Sequence, residues 1–340
     1  MKLSIFLPAL VALVMTLLAA TVQADALFES EETVKITLEA PLAAMRKARD
    51  KEIKYPATLK HENSSYDLEV SVRGNKRLQR MTCKNPPLWL DFDKDQVKGT
   101  LFHHQKHTKL VVLCRKGKVN FDYLRAEFLV YKMHEMVLPV SFRVRWAEVT
   151  YVEEKGTRTE PAFFIERKQR LAKRVDMDNV DLQRVEYKQL EPDTAALASL
   201  FNYVVANPDF SLISAMSGSC CHNAKLMQND DGEYVPVLYD FDSCGILAAR
   251  YAAPNPSLKI KKVTDRIYRG YCMHNKNLEK ARSTLLGAEA DFRALLANDP
   301  ILSKNYKKKM TRFLNRSLRL IERDADWNSK VINKCRGERA

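Results

Sequence analysis

The chain is short of glycine, with ten in 340 residues. None of the ten falls in a G-x-G-x-x-G run, so the usual loop that lays backbone amides over phosphates is missing. There is no G-x-S-x-G elbow, and Ser217-Gly218-Ser219 lacks the strand-to-helix turn that exposes a nucleophilic serine. No H-E-x-x-H appears either; His103 and His107 have helical spacing and His104 lies between them, but no third acidic or cysteine ligand stands nearby. The seven cysteines avoid metal-type spacings, because Cys220 and Cys221 are adjacent and the others lie far apart. Repeats and low-complexity tracts are absent, as are helix-turn-helix, zinc-finger and RNP-like signatures. These gaps set aside serine hydrolases, zinc proteases, repeat scaffolds and the common nucleic-acid modules.

What is present begins with MKLSIFLPALVALVMTLLAATVQADA, one lysine and then an apolar run too short for a membrane span. Val22-Gln23-Ala24 fits a small-residue cleavage site, which predicts a signal peptide over 1–24 and an exported chain, periplasmic or secreted, with no transmembrane anchor after cleavage. No other stretch reaches membrane length. The net charge is +14 and the pI about 9.4. Such a balance favours anionic partners, although the basic residues are scattered, with short runs only at Lys259 to Lys262 and Lys307 to Lys309. Solvated faces account for them better than a nucleic-acid groove. In an exported protein some cysteines pair and an odd number leaves one over; Cys83 with Cys114 is the preferred pair, and Cys220-Cys221 reads as packed thiols or as partners of other cysteines.

From Val34 to Phe164 the pattern is mostly β. SYDLEVSVRG and SFRVRWAEVTYV alternate, and PLWLDF, KLVVLC and AFFIE are short apolar runs. One helix, YLRAEFLVYKMHEMVL, interrupts them. From Pro192 the chain turns helical: DTAALASLFNYVVAN has one apolar face and Asp193 or Thr194 as N-cap, and 276–297 and 301–323 are two more amphipathic helices. Between them AKLMQ and YVPVLY form a hairpin that ends in Asp240-Phe241-Asp242.

Two carboxylates at the end of an apolar strand have no packing reason, although a polar turn satisfied by backbone amides is the plain alternative. An acid in a loop, then an amide, then a hairpin closed by Asp-Phe-Asp is the order in which protein kinases place their catalytic acid and metal ligands. Asp209, Asn223 and Asp240 follow that order. Asp209 and Asn223 lie fourteen residues apart, so SLISAMSGSCC has to loop out for both to meet.

VRGN at 72–75, KLVVLC at 109–114, YLRAEFLVYKM at 123–133, FFIE at 163–166, NPD at 207–209, HNAKL at 222–226 and YDFDSCG at 239–245 together resemble the spore-coat CotH family of secreted kinase-like proteins. The resemblance implies an α+β, two-lobed protein-kinase-like fold, with an antiparallel β-rich N-terminal lobe (25–166) carrying one helix and a mainly helical C-terminal lobe (167–340). It implies Asp209 as catalytic acid, Asn223, Asp240 and Asp242 as Mg²⁺ or Mn²⁺ ligands, and Lys109 on the phosphates with Glu127 as its ion-pair partner. Arg73 would lie over the nucleotide and Glu166 at the connector. The expected function is transfer of phosphate from ATP or another nucleotide to an unknown protein or envelope acceptor. The second reading is an inactive kinase-like binding module for an anionic envelope component or partner protein, and the third a phosphoester hydrolase. Nucleic acid is set aside as a partner.

Overall fold

The computed structural model describes residues 25–215 and 218–338. The expected signal peptide, 1–24, lies outside the described residues.

The first half forms strands β1 (Val34–Glu39), β2 (Tyr55–His61), β3 (Ser64–Val72), β4 (Leu88–Phe92), β5 (His107–Val112), β6 (Val144–Glu153) and β7 (Gly156–Ile165). They close into a barrel in the order β1-β2-β3-β4-β5-β7-β6. Neighbours are antiparallel except at the seam, where β1 runs parallel to β6 and Val34 sits opposite Ala147. This closed barrel, parallel at its seam, overturns the expected two-lobed protein-kinase-like fold with its antiparallel β-rich N-terminal lobe. Alternation along a strand reports which face is buried but not whether the two edges of a sheet meet, so closure escaped the periodicity.

Two helices decorate the barrel, the short α1 (Leu42–Ala48) and the long α2 (Lys118–Val137), which is the insertion between β5 and β6. α2 explains why KLVV and AFFI are apolar without alternation. On β7, Ala162 and Phe164 point into the barrel while Phe163 and Ile165 join the core on its outer face. β5 divides the same way, with Leu110 and Val112 inside and Val111 outside. Strands covered on both faces read as continuous apolar runs. α2 supplies the cover: the Phe128 ring meets Trp146 and Phe163 edge-on at 5.3 and 5.8 Å. Burying side chains of this size contributes roughly 2 to 3 kcal/mol each.

After β7 come α3 (Lys168–Arg174), the two-residue strand β8 (Asp178–Asn179) and α4 (Pro192–Val205). Glu191, rather than Asp193 or Thr194, caps α4, its carboxylate accepting from the backbone N–H groups of both. Pro192 at the first helical position is the reason, since it lacks an N–H to satisfy and carries a preset φ. The expected hairpin forms as β9 (Ala224–Gln228) and β10 (Tyr234–Leu238), with β8 on its open side. The region expected as one helix at 276–297 is two, α5 (Leu278–Gly287) and α6 (Glu289–Asn298), broken at Gly287-Ala288. α7 (Lys304–Glu322) and α8 (Asp324–Lys330) complete the chain.

Cys83 pairs with Cys114, as expected, and Cys272 with Cys335. Cys220 and Cys221 pair with each other, contrary to expectation, and Cys244 is the free, buried thiol. No helix among the described residues is long and apolar enough to cross a membrane.

Candidate functional site

The hairpin is where the chain is forced to present acids. Phe241 is fully buried against Tyr131, His134 and Phe201, with ring centroids at 4.9, 5.7 and 5.9 Å. Anchoring that ring leaves Asp240 and Asp242 on either side of it, both lining a cleft of about 480 Å³. That is the size of a small-molecule site. The Tyr131 hydroxyl accepts from the Asp240 backbone N–H at 2.8 Å and fixes the turn from α2. Asp240 and Asn223 both hold positive φ, 65° and 51°, a conformation Asp and Asn tolerate better than other side chains and one that recurs at binding sites.

Gly245 secures the turn from behind. Its N–H donates to the Ala206 carbonyl at 2.7 Å, and a Cβ there would lie 2.5 Å from the Val263 carbonyl oxygen and 2.7 Å from the Ala206 Cβ. Only glycine lets the hairpin exit pass so close to the end of α4.

The two ends of the segment between Asp209 and Asn223 meet. The Asn223 side-chain amide donates to the Asp209 backbone carbonyl at 2.7 Å. The Asp209 carboxylate accepts from His222 Nε2 at 3.1 Å and from the Asn255 amide at 2.9 Å. These bonds hold Asp209 below the usual carboxylate range, the His222 bond most of all, and the same bond lifts His222 above its usual value. Asp240 moves the other way. Although Asp240 is open to the cleft, desolvation by the walls around it and the charge of Asp242 push its carboxyl up to about 6, with Arg73, Arg77 and Lys109 opposing.

Glu127 and Lys109 do not pair. Glu127 is buried and takes Arg77 Nη1 at 3.1 Å, while Arg77 Nε stands 3.9 Å from Asp242 and Nη2 donates to the Val112 carbonyl at 2.9 Å. An arginine fork from the segment after β3 thus joins α2 to the hairpin, a geometry a lysine cannot reproduce. Lys109 sits instead among three rings, its ammonium 5.2 Å from Tyr239, 5.5 Å from Phe142 and 5.8 Å from Trp89. Burial first, then Arg73 and Lys225, push it down to about 7. Arg73 lines the cleft and lies over Trp89 at 5.2 Å.

Glu166 lies outside the cleft lining. It is fully buried, and its carboxylate is held by Arg174 at 2.9 Å and by the Arg143 backbone N–H at 3.1 Å, so it ties α3 to the barrel end. The candidate set thus divides: Arg73, Glu127, Asp209, Asn223, Asp240 and Asp242 share one cleft, Lys109 stands beside its Tyr239 wall, and Glu166 stands apart. Arg77, His222 and Lys225 join the cleft without having been singled out. All three lie inside or next to the stretches VRGN and HNAKL; what was missing was any sign of which side chains turn inward.

No family model matches the chain, so membership in the CotH family is not confirmed. No curated protein matches it either. A solved structure that does match is the Helicobacter pylori proinflammatory kinase CtkA, at 10% identity and a TM-score of 0.36, covering 73% of this chain and 91% of that one. A likeness this distant carries nothing over to the present cleft.

Proposed function

We propose that the cleft takes a nucleotide or similar polyphosphate with Mg²⁺ or Mn²⁺ and transfers phosphate to a hydroxyl-bearing acceptor. The supporting observation is the division of charge within one cleft. Asp240 and Asp242 face it as acids, while Arg73 and Lys225 line it as cations that form no ion pair among the described residues. A phosphate chain with a divalent cation meets both demands at once.

Among the described residues no three His, Cys, Asp or Glu side chains gather as a metal cage. Mg²⁺ needs none, since one or two carboxylates with substrate phosphates and water commonly suffice. Asp240 and Asp242 fit that pattern. So does Asn223, whose amide nitrogen is occupied by Asp209 and whose oxygen is left to accept. When bound, the metal supplies positive charge against the phosphate oxygens. Arg73 and Lys225 hold the phosphates in place, and the Asp209 carboxylate, positioned by His222 and Asn255, orients the acceptor hydroxyl and takes its proton. The disulfides suit an oxidising compartment, which supports export.

A binding module that holds an anion without turnover is the second reading. It is favoured by Glu127, which is committed to Arg77 and leaves Lys109 without a carboxylate partner. Thermal-shift titration with ATP and Mg²⁺ or Mn²⁺, alongside labelled phosphate transfer to the protein and to candidate acceptors, separates the two. Metal-dependent stabilisation and transfer that both vanish in Asp240→Asn support the enzyme. Stabilisation without transfer leaves the binding module, and no stabilisation of the wild type sinks the phosphotransferase.

A further inference from the structure

α7 carries a row of cations that the cleft does not use. Between Pro300 and Glu322 there is no acidic residue, and Lys304, Lys308, Arg312, Arg316 and Arg319 all lie exposed along the helix. Their spacing of four, four, four and three residues keeps them on one side over about 22 Å of axis. None of the five forms an ion pair among the described residues, whereas the lysines flanking the row are engaged: Lys307 donates to the Ala297 carbonyl and Lys309 to that of Leu247. The opposite face is fixed in the core by Tyr306, Met310, Leu314, Leu318 and Ile321, so α7 cannot roll to hide the row.

We propose that this face of α7 docks the protein on an anionic lipid bilayer. Four to eight cations on an amphipathic helix are the electrostatic signature of attraction to acidic headgroups. Since the apolar face is spent on the core, nothing remains to insert, and binding is purely coulombic and reversible. A nucleic acid strand would meet the same charges, but single strands are held by bases stacked on rings as well as by cations. The rings of α7 are taken: Tyr306 is buried and Phe313 is covered by Arg266 at 4.1 Å. A row of cations on a convex helix, without a groove partner or a free ring, fits a flat charged surface. None of these side chains lines the cleft, so the inference stands apart from the phosphotransfer reading.

The test is co-sedimentation of the full chain with vesicles of phosphatidylcholine alone or mixed with phosphatidylglycerol, at low and high salt. The wild type is compared with Lys308→Gln/Arg312→Gln/Arg316→Gln and with Lys35→Gln/Lys98→Gln/Lys155→Gln. The second triple removes the same charge from exposed, unpaired positions on the barrel half. All three proteins share residues 1–24, so anchoring through that segment would persist in each. Salt-sensitive binding to phosphatidylglycerol vesicles is expected, weakened on the order of a hundredfold in the α7 triple and little changed in the barrel triple. The proposal is overturned if the two triples bind alike, if the wild type does not prefer anionic vesicles, or if a single-stranded oligonucleotide is retained while vesicles are not.

Discussion

His222 reaches back along the chain to Asp209, its Nε2 3.1 Å from the carboxylate oxygen, and the two residues share the mouth of a cleft with Asp240. Each holds the other charged. The raised His222 contributes stability that is full below its usual 6.5 and is lost as pH rises through its folded value; the lowered Asp209 contributes above 3.8 and loses it on acidification. The pair is therefore at its strongest between those two limits. By NMR, His222 is expected to titrate above 6.5 in the wild type and to fall back towards it in Asp209→Asn. A wild-type value at or below 6.5 would remove the pair from the account of the site.

The Arg77–Glu127 pair is buried on both sides, which makes the loss of one partner costly. Glu127→Ala and Arg77→Met are each expected to destabilise by about 3 to 5 kcal/mol in urea titration, because the first leaves buried Arg77 with only Asp242 at 3.9 Å for a counter-charge and the second leaves Glu127 buried without its cation. Arg77→Met combined with Glu127→Met is expected to cost less than the two losses added together. Single variants within about 1 kcal/mol of the wild type would show that the pair bears little of the link between α2 and the hairpin.

Lys109 gives the opposite sign. Its amine titrates near 7 in the folded chain and near 10.5 when unfolded, so the unfolded state binds the extra proton between those values and stability rises with pH across that window. Lys109→Met is expected to stabilise the protein below about pH 7, by about 1 to 2 kcal/mol after allowance for solvent, with the gain fading towards pH 10. A gain that does not depend on pH would contradict burial of the charged amine as its cause.

Gly245→Ala is expected to destabilise by about 1 to 3 kcal/mol, since the added methyl meets the backbone of Val263 and the Ala206 side chain rather than a flexible side-chain end. Thermal unfolding measures it. Because the same turn sets Asp240 and Asp242, the variant should also blunt any metal-dependent shift; a variant as stable and responsive as the wild type would mean the two segments can separate freely.

Local order was legible and long-range closure was not. The period-two runs of β3 and β6, the covered strands β5 and β7, the helix stripes of α2 and α4 and the β9–β10 hairpin all follow from neighbours in sequence. The barrel seam does not, because β1 meets a strand made much later and periodicity carries no partner. The site shows the same division. Asp209, Asn223, Asp240 and Asp242 stood out by order along the chain, whereas Glu127 went to Arg77 because which buried cation an acid meets depends on side-chain direction. Glu166 stands at the connector between β7 and α3, and its pairing with Arg174 was not legible because the end of a strand is also where an ion pair can lock a helix down.

The parallel seam also sets an order of events. β1 can join β2 as soon as the chain passes His61, but its other edge waits until β6 has been made, when Val34 finds Ala147. A contact so distant in sequence bears the largest loop-closure entropy in the barrel, so the ring is expected to close after its antiparallel neighbours have paired. Until then β1 is an exposed strand edge, and a newly made chain is at its most vulnerable to pairing with another copy of itself.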